Sequence, residues 1–168
     1  MSELEFSRPV RVSHLPGAGQ QLRLEANATE CAALAARLGL LALHRFSAEL
    51  RLRGETAGGI RVNGHIEASL VQACVVSLDP VPQSLREDVA LRILPEGQTP
   101  SEDPDSEDEV ECDNGIAELG EVMAQLLALA LDPYPRLEGA QLPEHGADDG
   151  PRGPFAALAR RPPSGQSR

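Results

Sequence analysis

Apolar and polar residues alternate cleanly from Arg45 to Arg53, with Phe46, Ala48, Leu50 and Leu52 on one side and Arg45, Ser47, Glu49, Arg51 and Arg53 on the other. A period of two with one apolar face marks an antiparallel strand that lies on a core and keeps its outer side in water. The same period recurs from Ile60, where Val62, Ile66, Ala68 and Leu70 share a phase that continues through Cys74, Val76 and Leu78. It predicts one long bent strand or two abutting ones. Asn63-Gly64 is a hairpin signal, but the phase passes through Gly64 unbroken. Leu85, Val89, Leu91 and Ile93 predict a further strand. Weaker alternation over Phe6 to Ser13 and Gln20 to Ala26 predicts two modest strands joined through Pro16-Gly17-Ala18-Gly19.

Two stretches carry the helical period instead. Leu119, Val122, Met123, Leu126, Leu127 and Ala130 fall at three- and four-residue steps and predict a helix from Glu118 to Leu131 with a wide apolar stripe. Glu118 and Glu121 sit in its first turn, where the helix dipole favours acids. A shorter helix from Thr29 to Leu38 follows from Cys31, Leu34, Ala35 and Leu38, with Asn27 and Glu30 as a capping pair and Gly39 as a stop. The long helix runs into Asp132-Pro133-Tyr134-Pro135-Arg136, where each proline biases its predecessor away from helix and holds the single tyrosine on a short extended arm. Such an arm suits docking better than catalysis; the plainer reading is a helix stop with Tyr134 folded back over the helix end. Together these elements predict a single α+β domain over residues 1 to 136, a mostly antiparallel sheet of five or six strands packed by one long and one short helix.

Composition adjusts this picture in three ways. With no Trp, one Tyr and three Phe among 168 residues, the core is aliphatic, Phe6, Phe46 and Phe155 carry unusual shares of it, and aromatic platforms for single-stranded nucleic acid are nearly absent. The net charge of -11 is unevenly placed. Residues 1 to 95 carry ten Arg and ten acids, residues 96 to 150 carry sixteen acids against Arg136 alone, and residues 151 to 168 carry four Arg and no acid. The stretch 95–113 has nine acids and three prolines, too little apolar surface to offset chain entropy, and is expected as an acidic mobile loop. It acts as a solvated spacer or as a surface that attracts a basic partner such as a ribosomal protein. Arg45, Arg51, Arg53 and Arg61 form either an ordinary solvated sheet face or a basic patch for RNA. Residues 137–168 read as a Gly/Pro-rich tail with a short docking patch at Phe155-Ala156-Ala157-Leu158.

Catalytic chemistry finds little support. His14, His44, His65 and His145 are scattered, and no Gly-x-Ser-x-Gly, phosphate-binding loop or His-Glu-x-x-His is present. Cys31, Cys74 and Cys112 lie far apart without a Cys-x-x-Cys pair, which argues against a disulfide framework or a zinc site. Cys74 shares the buried phase and reads as a small core hydrophobe rather than a reactive thiol. The expectation is a non-enzymatic protein with no cofactor and no metal. Met1 to Glu5 is acidic without a signal-peptide apolar region, and no run approaches the roughly 18 apolar residues of a membrane span; a cytoplasmic protein with no membrane partner is expected.

The ordered combination Gln72-Ala73-Cys74-Val75-Val76-Ser77-Leu78-Asp79-Pro80-Val81, an acidic gap, Ile116-x-x-Leu119-Gly120-Glu121, Leu127 to Arg136 and a terminal Pro154-Phe155-Ala156-Ala157-Leu158 resembles the bacterial YceD family (DUF177), the large ribosomal RNA subunit accumulation proteins. The resemblance implies a non-catalytic ribosome biogenesis factor that supports synthesis, processing or stability of 23S ribosomal RNA. Its partner would be a large-subunit precursor or a basic ribosomal protein, with direct binding of 23S RNA through sheet-face arginines as the alternative. The partner-binding residues it points to are Gln72, Asp79 and Pro80 at a strand end, Gly120 and Glu121 at the helix start, Asp132, Pro133, Tyr134, Pro135 and Arg136 on the arm, and Phe155 in the tail. Arg136 would supply forked donors for carboxylate or phosphate. Many members carry Cys-x-x-Cys at the strand position held here by Ala73 to Val76; this chain keeps Cys74 alone.

Overall fold

The computed structural model describes residues 4–14, 19–56, 58–103 and 107–141. The Phe155 patch, most of the 137–168 tail and the Pro16-Gly17-Ala18 joint lie outside them. The main sheet has five strands in the order β2 (Gln20–Glu25), β3 (Ala42–Gly54), β4 (Ile60–Ala73), β5 (Pro80–Ile93) and β6 (Asp108–Val110). All neighbours are antiparallel except the last pair. A separate two-stranded sheet joins β1 (Pro9–Arg11) to β7 (Ile116–Glu118), so the fold is α+β with helices α1 (Ala28–Leu38) and α2 (Leu119–Ala130).

Phe46, Ala48, Leu50 and Leu52 of β3 face inward beside Val62, Ile66, Ala68 and Leu70 of β4 and Val89, Leu91 and Ile93 of β5. The register explains why the phase of β4 survives Asn63-Gly64. Gly64 lies opposite Leu50 inside a continuous ladder, and a Cβ there would run into the Glu49 carbonyl. Glycine is present for a close backbone approach rather than for a turn.

Helix α1 begins at a full capping box, in which the Asn27 side chain accepts from Glu30 N–H at 2.9 Å and the Glu30 carboxylate accepts from Asn27 N–H at 2.8 Å. It ends at Gly39 with φ 66°. Its buried face, Cys31, Leu34 and Ala35, packs over β3, while Leu119, Met123, Ala124 and Leu127 of α2 complete the same core. Phe6 and Phe46 meet edge to face with centroids 5.5 Å apart.

Three expectations change. The strand predicted through Leu78 stops at Ala73, and residues 74–79 form a hairpin turn in which Cys74 N–H donates to Asp79 O at 2.8 Å and Leu78 N–H to Cys74 O at 2.9 Å. Leu78 sits there at φ 64° with 76% of its surface exposed; its agreement with the strand phase is a coincidence of spacing. The acidic stretch is not loop throughout, because Asp108–Val110 adds to the edge of β5. The N-terminal strand is shorter than its alternation suggests and gives way to a 3-10 turn at Val12–His14.

Candidate partner-binding site

The hairpin between β4 and β5 and the segment after α2 meet at one end of the sheet. Helix α2 ends where Leu131 turns extended at φ -64°, ψ 143°, one residue before the Asp132-Pro133 bond disfavours helix. The Asp132 carboxylate then accepts from Tyr134 N–H at 2.9 Å, so the arm bends at Pro133 and Tyr134 instead of running straight.

Three bonds pin the arm to the hairpin. Gln72 Nε2 donates to Asp132 O at 3.1 Å, Val75 N–H donates to Pro135 O at 2.8 Å, and Leu137 N–H donates to Cys74 Sγ at 3.4 Å. Gln72 Oε1 is left buried without a partner. Pro135 is buried under the hairpin, while Tyr134 remains 71% exposed and does not fold back over the helix end.

Cys74 is the pivot of this contact. Its Sγ accepts from the N–H groups of Val76 at 3.4 Å and Ser77 at 3.5 Å as well as from Leu137. The Leu137 N–H first, then the Ser77 hydroxyl and the N–H groups of Ser77 and Val76, bring the thiol down to about 6. The side chain is nevertheless fully buried, as its phase in the sequence implied. All three cysteines are free thiols, and among the described residues no three His, Cys, Asp or Glu side chains come together to hold a metal ion.

Around the pinned arm the surface is apolar. Leu41, Val75, Leu78, Leu129, Tyr134 and Leu137 are exposed large hydrophobic residues, and among the described residues Leu4 alone is exposed in this way elsewhere. Leu41 is tied to the same end of β4 through its N–H to Val71 O. On the same hairpin and arm, Asp79, Asp132 and Glu138 are exposed against the single exposed Arg136, so the charge these segments present is net negative. Of these residues, Leu41, Val75, Leu78, Leu129 and Leu137 were not expected at the site from sequence. The alternation places Leu78 in a buried phase, and the others gather only when arm and hairpin meet.

The expected site does not stay together. Gln72, Asp79 and Pro80 join Asp132, Pro133, Tyr134, Pro135 and Arg136, but Gly120 and Glu121 lie at the opposite end of α2, about 18 Å away for a helix of 12 residues. Gly120 is pressed against Phe6, where a Cβ would run into the Phe6 carbonyl. Glu121 accepts from Arg37 at 2.8 and 2.6 Å, which holds its carboxyl below the usual carboxylate range. Both residues hold the fold together. Phe155 lies outside the described residues.

These features define an α+β protein with one open polar sheet face and a helix-terminal arm docked on a hairpin, and no helix among the described residues is long and apolar enough to cross a membrane. The family model for the large ribosomal RNA subunit accumulation protein YceD matches residues 62–159, more than half of the chain. The chain belongs to that family, whose name ties it to accumulation of the large ribosomal RNA subunit. No curated protein and no solved structure gave a significant match.

Proposed function

We propose that this protein is a non-catalytic ribosome biogenesis factor, acting in the bacterial cytoplasm, that supports accumulation of 23S ribosomal RNA by binding a basic ribosomal protein or the large-subunit precursor that carries it. The observation that carries the reading is the gathering of exposed Leu41, Val75, Leu78, Leu129, Tyr134 and Leu137 at one end of the fold, where Asp79, Asp132 and Glu138 outnumber Arg136. Apolar anchors beside net negative charge suit a partner with an apolar face and cationic flanks. Pre-pinning of the arm by Gln72, Cys74 and Val75 lowers the ordering cost of binding, and the family's link to large-subunit RNA supplies the process.

Photocrosslinking in cells from a photoreactive residue at position 134 tests this. Capture of a basic large-subunit protein or precursor particle is expected. Recovery of this chain's own tail alone would overturn the reading.

A further inference from the structure

At the far end of β4 from the arm, Arg53 of β3, Arg61 of β4 and Arg92 of β5 stand directly opposite one another in register. Gln72 and Arg61 are eleven residues apart on one strand, or roughly 36 Å, so this row and the arm are separate surfaces. All three side chains leave the outer face, because their neighbours Leu52, Val62 and Leu91 are buried on the inner one. Like charges placed directly across strands destabilise a sheet unless something compensates them.

Compensation comes from outside the face. Glu55, just after β3, accepts from Arg61 Nε at 3.1 Å and from Arg92 Nε at 2.5 Å. Both oxygens of Glu107 accept from Arg61 Nη1, at 2.5 and 2.7 Å, and Glu109 of β6 accepts from Arg92 at 3.5 Å. The guanidinium N–H groups that these carboxylates occupy are charge-assisted donors of the kind that phosphate oxygens accept from. Among the described residues Arg53 has no ion pair. Beside the row, Arg23, Arg51, Asn63 and His65, together with Glu49, line an open depression of about 560 Å³.

The acidic cover is the least secured part of the sheet. Strand β6 has three residues, lies at the edge and pairs in parallel, and Glu107 is 57% exposed. Short edge elements with few buried contacts open at the lowest free energy. By contrast the arginines sit on the three longest strands.

We infer that the Arg53–Arg61–Arg92 row, with Arg51 beside it, is a binding site for the phosphate backbone of RNA that Glu107 and Glu109 cover in cis. RNA binds by displacing the two carboxylates from the guanidinium groups, and the site reads charge and spacing rather than base sequence, in keeping with the scarcity of aromatic residues. The choice of RNA as the polyanion rests on the ribosomal role proposed above. The site itself stands at the other end of the molecule from the arm, so direct binding measurements and crosslinking from position 134 can fail separately.

The test uses the purified full chain and a fluorescently labelled RNA hairpin, with affinity measured by anisotropy at several salt concentrations. Glu107→Gln with Glu109→Gln is expected to tighten binding about 5- to 10-fold and to steepen the salt dependence by about 1 to 2 in log-log slope, each arginine relieved of its second carboxylate adding roughly 0.7 to 0.9. Arg53→Ala in that background should remove most of the gain. Unchanged RNA affinity in a folded double variant would overturn the inference and leave the network a purely structural one. Should the double variant fail to fold, Arg53→Ala in the otherwise native chain decides: this residue has no ion pair among the described residues to lose, so weaker RNA binding supports the site and unchanged binding refutes it.

Discussion

Three backbone N–H groups converge on Cys74 Sγ at 3.4 to 3.5 Å, and their combined polarity, with that of the Ser77 hydroxyl, favours the thiolate. The folded thiol titrates at about 6 against an ordinary 9.0, so the group binds its proton less tightly when folded. Its stabilising contribution is therefore complete above the unfolded value and disappears as pH falls through about 6. Urea unfolding of the native protein should show stability rising between pH 6 and pH 9, and Cys74→Ala should flatten that rise. Alkylation at pH 8 should still be slow, because the side chain is fully buried; fast labelling would mean that the arm does not stay docked. The burial of Cys74 was legible in the strand phase. Its donor Leu137 was not, since it arrives from 63 residues away and only when the arm lies down on the hairpin. Gly120 was legible only as part of a motif. Gly120→Ala drives a Cβ into the Phe6 carbonyl, and chemical denaturation should show a loss of about 1–3 kcal/mol with Tyr134 crosslinking retained by the molecules that remain folded.

Among elements, the two helices share a core and are also linked by an ion pair. Arg37 in the last turn of α1 reaches Glu121 in the first turn of α2 at 2.8 and 2.6 Å and Glu5 at 3.0 Å. The pairing complements both helix dipoles, but Arg37 is about one-third exposed, so Arg37→Met should cost only about 1 kcal/mol in thermal or urea unfolding. The hydrogen bond from Arg37 holds the Glu121 carboxyl below its ordinary 4.5. Stability from this contact is present above about pH 4.5 and is lost as pH falls further, and Arg37→Met should make the acid limb of the stability profile shallower. The helices and long strands were readable because each repeats its period over ten residues or more. β1, β6 and β7, at three residues each, have no room for a period. β6 in particular pairs with β5, packs Val110 on the core and lies beside the contacts of Glu107 and Glu109 with Arg61 and Arg92, long-range matches that composition alone reads as an unstructured acidic run.

For the whole molecule, the region that carries the family signature and the region that folds are not the same. The family model covers residues 62–159, yet the core needs Phe6, Leu24, Leu34, Phe46, Leu50 and Leu52 from the chain before it. That earlier part also supplies the N-terminal clamp, where Val10 pairs with Ala117, Val12 N–H donates to Gly115 O at 2.9 Å, and Leu119 N–H donates to Arg8 O at 3.2 Å. Without residues 1–59, β4 loses its ladder to β3 and becomes an edge, and α2 faces solvent where Phe6 and Phe46 had been. Removing one buried Phe side chain typically costs about 3–5 kcal/mol, so losing both approaches the about 5–15 kcal/mol that holds a domain together. A chain of residues 60–168 expressed alone should therefore lack a cooperative thermal transition and give a poorly dispersed amide NMR spectrum. A sharp transition in that fragment would show that the signature region folds by itself. The expected failure would make the N-terminal third, which contributes no signature residues, the scaffold that brings the Cys74 hairpin and the Asp132 to Leu137 arm into contact.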